Sequence, residues 1–297
     1  VAEHRIYFLR GLVDEAVIME RGRVVHRMTG EELWGIGEAR RRQLGLRALE
    51  RPRLAVRPAR LTALAGGPAD ATDAADAADG VLEPATGVET DPDPNTGSDA
   101  GSRADDIAER TDGLLIENLQ VERSGRLILD IPRLFFPAGA VTGVVGANGI
   151  GKTTLARAVC RLQRARRGAR MSLGGRELRS GRAFLVMQDV HRQLFAESVS
   201  QEASAPQLER LDLAALADRH PLSLSGGQKQ RLVIATAIDQ DARVLILDEP
   251  TSGVDHRHLV AIAAELRDLA REGRVVIVIS HDVEFLNECA DRVIDMV

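Results

Sequence analysis

Along residues 113–297, short unbroken apolar runs alternate with stretches in which apolar residues recur every three or four positions. The runs are residues 140–145 (AVTGVV), 184–187 (FLVM), 244–247 (VLIL) and 275–279 (VVIVI). Runs this short, with Thr142 their one polar side chain, predict strands buried on both faces. Residues 153–163 follow the first run with helical spacing. Continuous apolar strands separated by helices predict a parallel sheet covered by helices on both faces, an α/β fold.

The pattern changes upstream. Residues 61–112 are mostly Ala, Asp, Gly, Pro and Thr with almost no large apolar side chain. Such a stretch cannot bury enough surface to offset the entropy of ordering, which predicts a flexible acidic linker. Residues 1–60 are Arg-rich and partly apolar. When His4 is set opposite His281, AEHRIYFLRGLVDEAVIM aligns without a gap with ISHDVEFLNECADRVIDM. His4, Phe8, Leu9, Asp14 and Met19 match His281, Phe285, Leu286, Asp291 and Met296, with apolar-for-apolar exchanges between. The repeat predicts that residues 1–60 are the C-terminal remnant of a preceding domain of the same kind as residues 113–297.

Two motifs in the later region carry chemistry. Gly146-Ala147-Asn148-Gly149-Ile150-Gly151-Lys152-Thr153 fits GxxxxGK[ST], follows a predicted strand and opens a predicted helix that continues with Thr154. Glycines let such a loop wrap with its N–H groups pointing inward, and the helix start adds positive potential. This is a phosphate cradle in which Lys152 reaches the β- and γ-phosphates and the Thr153 hydroxyl ligates Mg²⁺. The run at 244–247 ends in Asp248 and Glu249. A buried strand tip is a costly place for two carboxylates unless a metal ion and a water justify them. Asp248 is the expected Mg²⁺ partner, and Glu249 is placed to orient and deprotonate the attacking water.

Bulk properties narrow the function. The formal net charge is -5, and only 3% of residues are aromatic, which argues against a nucleic-acid partner. Cys160 and Cys289 stand far apart in no metal-ligand spacing and read as reduced core residues. No apolar run approaches the ~18 residues of a membrane span, so a membrane role has to come through a partner.

Leu224-Ser225-Gly226-Gly227-Gln228 lies between the phosphate loop and the Asp-Glu strand. It resembles the signature of ATP-binding cassette (ABC) ATPases, and the resemblance covers residues 114–297. It implies a P-loop NTPase core with a parallel sheet, an ABC-type antiparallel β subdomain and a small helical subdomain. The implied cofactors are ATP and Mg²⁺. Two such domains close face to face in this family, so Ser225, Gly226, Gly227 and Gln228 would meet the γ-phosphate held by a second ABC ATPase domain. Gln188 looks like the Q-loop glutamine, which senses Mg²⁺ and the transmembrane partner. Ser252-Gly253-Val254-Asp255 resembles the D-loop, with Asp255 at the dimer interface, and His281 resembles the switch histidine at the γ-phosphate. One departure stands out: Arg123 occupies the place where the family usually stacks an aromatic ring on adenine.

After Gln188 the sequence runs Asp189-Val190-His191-Arg192-Gln193-Leu194-Phe195-Ala196-Glu197-Ser198-Val199. It resembles the ATPases of energy-coupling factor (ECF) importers and their cobalt-type relatives. The resemblance implies a vitamin or metal-ion importer with a transmembrane scaffold and a substrate-binding membrane subunit, the ATPase lying peripherally on the cytoplasmic face. The N-terminal piece resembles the end of the first half of tandem ECF ATPases, so the natural unit is expected to hold two cassettes, of which this chain is the later portion. Residues 199–219 leave room for about two short helices where the family builds a helical subdomain. Two alternatives stand beside this reading: a soluble ABC ATPase outside transport, and a truncated or degenerate cassette that binds ATP with little coupled turnover.

Overall fold

The computed structural model describes residues 6–20, 22–61, 112–251 and 254–297. His4, Arg21, Ser252, Gly253 and nearly all of the expected linker lie outside the described residues.

Among the described residues the centre is a six-stranded parallel sheet. Its strands are β3 (Ala59–Leu61), β6 (Val141–Gly146), β9 (Ala183–Val186), β10 (Val244–Asp248), β11 (Val275–Ile279) and β12 (Arg292–Met296), in the order β3-β12-β6-β11-β10-β9. All four apolar runs became strands of this sheet, each within a residue or so of its expected bounds. The period of two explains why they had to be apolar throughout. Leu245, Leu247, Val276 and Val278 face one layer, while Val244, Ile246, Val275, Ile277 and Ile279 face the other. Each of these side chains is almost fully buried, which is worth about 1.5–3 kcal/mol apiece before entropy is counted.

The first layer holds three helices, α6 (Gly226–Asp239), α7 (His256–Arg271) and α8 (Val283–Cys289). It also holds the small helical region, α4 (Val199–Glu202) and α5 (Ala205–Arg210), which are the two short helices expected there. The second layer is helix α3 (Lys152–Val159) and a four-stranded antiparallel sheet. That sheet comprises β4 (Gly113–Arg123), β5 (Arg126–Pro137), β7 (Arg170–Leu173) and β8 (Arg176–Glu177) in the order β5-β4-β7-β8. The fold is the expected α/β P-loop architecture with an antiparallel β subdomain and a small helical one.

Upstream, β1 (Glu15–Glu20) and β2 (Arg23–Thr29) form a hairpin that runs into α1 (Gly30–Trp34). Thr29 and Glu32 make a reciprocal capping box there. Helix α2 (Glu38–Gln43) follows. The expected boundary at residue 60/61 falls inside β3, because Leu61 continues the strand and pairs with Met296. A parallel edge strand needs only an extended, partly apolar segment within reach of its neighbour's open edge, and residues 59–61 supply one. Cys160 and Cys289 are both free, and burial pushes each thiol up to about 12, as expected of unreactive packing residues.

Candidate functional site

Parallel strands bring their C-terminal ends to one edge, which is where α/β folds place ligands. Here β6, β11 and β10 are neighbours, so the loop after Gly146 converges with the tip at Asp248 and the turn after Ile279, both more than 100 residues further along the sequence.

The phosphate loop requires glycine at its two hinges. Gly146 has φ 141°, and a Cβ there would lie 2.5 Å from the Met296 carbonyl oxygen. Gly151 has φ 109°, and a Cβ there would lie 2.5 Å from Leu129 Cδ2. Lys152 opens α3 and curls back over the loop, its Nζ donating to the carbonyls of Gly146 at 2.7 Å and Ala147 at 2.9 Å. Burial draws the Lys152 pKa downward against the pull of Glu249, Asp248 and Asp295. Ile150 packs its side chain against the β-subdomain core.

Thr153 Oγ1 donates to Asp248 Oδ2 at 2.8 Å. A hydroxyl and a carboxylate at contact are hard oxygen donors of the kind Mg²⁺ prefers. Among the described residues no group of three or more His, Cys, Asp or Glu is arranged to hold a metal.

Glu249 follows directly, with φ 49°, an uncommon conformation for a residue with a side chain. Its carboxylate accepts the His281 backbone N–H at 3.1 Å and the Ser280 hydroxyl at 3.3 Å, and the His281 ring Nε2 lies 3.9 Å away. Burial raises the Glu249 pKa, partly offset by those two hydrogen bonds; Asp248 adds to the rise and Lys152 opposes it. The folded state thus holds this proton more tightly than the unfolded chain does. Stability from this group is fully present below the unfolded value of 4.5 and is lost as pH rises through the raised folded value. Glu249→Gln is therefore expected to melt at a higher temperature than wild type at pH 8. The difference should shrink as pH falls toward 4.5, which paired thermal melts would show; a constant offset would contradict it.

A cleft of about 590 Å³ collects these groups. Asn148, Gly149, Gly151, Lys152, Thr153, Thr154, Gln188, Asp248, Glu249 and His281 line it, and so do Arg123 and Ile128. Gly146 and Ala147 contribute their carbonyls to Lys152 and do not line the cleft. Gln193, whose amide accepts from Met187 N–H at 2.7 Å and donates to Leu185 O at 2.7 Å, pins the strand end that presents Gln188.

Ser225 is the N-cap of α6 and forms a capping box with Gln228. Ser225, Gly226 and Gly227 line a second cleft of about 380 Å³, together with Gln188, Glu249 and Asp255. Lys152 and Thr153 are absent from its walls. The chain therefore brings Gln188 and Glu249 to both clefts and keeps its own phosphate loop apart from its own signature. Asp255 N-caps α7, accepting the His258 N–H at 2.9 Å. Sequence reasoning missed Arg47, whose side chain is only 2% exposed and ion-paired with Asp282 and Glu284. No motif marks it, because a buried cation is defined by partners more than 200 residues away.

Comparison with known proteins defines the class. Residues 129–252 match the family described as ABC transporter. A putative ABC transporter ATP-binding protein of Treponema denticola is 31% identical over 99% of this chain and 55% of its own length. Another, from Pyrococcus furiosus, is 32% identical over 57% of this chain and 74% of its own. The structure of cbiO1 from Clostridium perfringens, part of the transporter complex cbiONQ, superposes with a TM-score of 0.55 at 27% identity, covering 62% of this chain and 84% of that one. The chain belongs to the family of ABC transporter ATP-binding proteins. It spans about half the length of the first curated relatives it matches.

Proposed function

We propose that the chain binds and hydrolyses Mg·ATP and energises an importer-type ABC transporter. The observation that carries this reading is the single cleft joining Lys152, Thr153, Asp248, Glu249, Gln188 and His281. In it, the loop N–H groups and Lys152 hold the β- and γ-phosphates. Thr153 and Asp248 hold Mg²⁺, which supplies charge neutralisation when bound. Glu249 orients water and takes its proton, with Gln188 and His281 completing the polar wall. Arg123 lies where it can stack its guanidinium on a base. The signature at Ser225, Gly226 and Gly227 serves a second ABC ATPase domain, since a helix start with free N–H groups is an anion site and this chain's own phosphates lie elsewhere.

The ECF type is the transporter class we favour. Its support is the QD…QLF…SV stretch and the cbiO1 likeness. A further relative, a putative HMP/thiamine import ATP-binding protein of Bacillus subtilis, is 32% identical over 61% of this chain and 37% of its own length. We also propose that residues 1–60 are the end of a first cassette, followed by a linker over 61–112. Phe8 is 54% exposed whereas its repeat counterpart Phe285 is 0% exposed, and the counterparts of exposed Leu12 and Met19 are the buried Cys289 and Met296. Side chains that fill a core in one copy of the repeat stand open in the other.

No helix of the described residues is long and apolar enough to cross a membrane, and in the proposed assembly a membrane-spanning subunit carries the transport path with this chain at its cytoplasmic face. The test is co-expression with the membrane-spanning subunit encoded nearest its gene. The chain is expected in the detergent-extracted membrane fraction, with phosphate release accelerated by the partner. Recovery only in the soluble fraction, with active turnover, would sink the transport reading and leave the ATPase standing.

A further inference from the structure

Residues 41–48 lie upstream of the cassette in sequence, yet they are wired into its catalytic edge. The Gly45 carbonyl accepts the His256 N–H at 3.1 Å, satisfying an open donor in the first turn of α7. The Arg257 guanidinium donates to the Gln43 carbonyl. Ala48 N–H donates to Glu284 Oε2 at 3.1 Å. Arg41 reaches Glu284 Oε1 at 3.3 Å and the Leu46 carbonyl at 2.6 Å.

Arg47 is the centre of this arrangement. Its guanidinium donates to Asp282 Oδ2, to Glu284 Oε2 at 2.8 Å and to the Val254 carbonyl at 3.1 Å. Asp282 also accepts the Thr251 hydroxyl at 2.8 Å, and Glu284 Oε1 lies 3.2 Å from His256 Nδ1. One planar cation therefore ties two stretches together. The first holds Thr251, Val254 and the N-cap Asp255, the second is the turn that begins at His281. A guanidinium can do this because it offers donors in three directions from a rigid plane, whereas an ammonium offers one compact point charge. Two cations, Arg41 and Arg47, face two carboxylates, Asp282 and Glu284, so the buried charges balance within the cluster.

We propose that Arg47 is a positioning residue for ATP hydrolysis: the upstream segment 41–48 clamps the D-loop stretch against the switch turn, so the placement of Asp255 and His281 is set by a part of the chain outside the cassette. The proposal rests on the ATPase reading above. Its consequence is two-way. If the segment sets the geometry of the nucleotide cleft, nucleotide in the cleft must in turn tighten the segment.

The test is amide hydrogen exchange on the 297-residue chain, read together with turnover. Arg47→Lys keeps a positive charge and loses the fork. It is expected to speed exchange in peptides covering residues 254–258 and 280–286 by at least about fivefold, to lower kcat by a similar factor, and to weaken Mg·ATP binding by the same factor by which Mg·ATP slows opening of residues 41–48. Peptides of β10 and β11 should keep wild-type protection, and Arg42→Gln, which loses only an exposed pair with Glu38, should change nothing. A rise spread equally over β10 and β11, or no rise at 254–258 and 280–286, overturns the clamp. The reverse direction uses Glu249→Gln: Mg·ATP should slow exchange at residues 41–48 as well as at 146–154. Protection at 146–154 without 41–48 overturns the proposal. Absence of protection at 146–154 instead defeats the ATP-binding reading, and the Arg47→Lys exchange pattern still decides the clamp.

Discussion

Replacing Glu249 by glutamine is expected to cut ATP turnover by roughly 10²–10⁴-fold, the usual contribution of a general base, while leaving Mg·ATP binding intact. The amide keeps the size of the side chain; its oxygen can still accept the His281 N–H at the 3.1 Å position, and its NH2 can donate to the Ser280 hydroxyl oxygen across the 3.3 Å contact where the carboxylate now accepts. It cannot take a proton from water. Burial already raises the Glu249 pKa, so the wild-type carboxylate is a stronger base than an exposed glutamate and remains aimed by its two donors. Phosphate release and equilibrium nucleotide binding, measured side by side, check this. A variant that keeps more than a tenth of wild-type turnover would mean that another group activates the water. The same comparison separates a working ATPase from a degenerate one, because an inactive wild type has no turnover for Glu249→Gln to lose.

The sheet and most of this cleft were legible in the sequence for a physical reason. Strands buried on both faces leave continuous apolar runs, and a phosphate loop needs glycine at fixed hinges, so VLILDE and GANGIGKT carry their own geometry. Gly146 and Gly151 illustrate it: each hinge has a positive φ and a neighbour 2.5 Å from where a Cβ would sit. The parts that stayed hidden are the ones defined by pairing. Nothing local distinguishes Arg47 from the other arginines of residues 1–60, since its burial depends on Asp282 and Glu284. Likewise β3 is three residues of ordinary sequence that become a strand only because the edge of β12 is open to pairing. Chemistry written in consecutive residues can be read from the chain, whereas contacts across more than 200 positions need the fold.

Lys152→Ala is expected to weaken Mg·ATP binding by at least about a hundredfold and to abolish turnover, because it removes the ammonium that lines the cleft at the phosphate loop. In the present structure Nζ bridges the Gly146 and Ala147 carbonyls, so its loss also leaves those two acceptors without that donor and loosens the cradle. Ser225→Arg should differ in kind. It spares the cleft that holds Lys152 and blocks the second cleft, where Ser225 caps α6. Binding should persist and turnover should fail. If the signature works in trans between copies of this chain, mixing the two inactive variants restores a quarter or less of wild-type turnover per chain, roughly, because only one of two sites in a mixed pair is intact and only part of the pairs are mixed. If the partner is instead a different cassette, the mixture stays as inactive as either variant, and turnover returns only when that cassette is supplied to the wild-type chain.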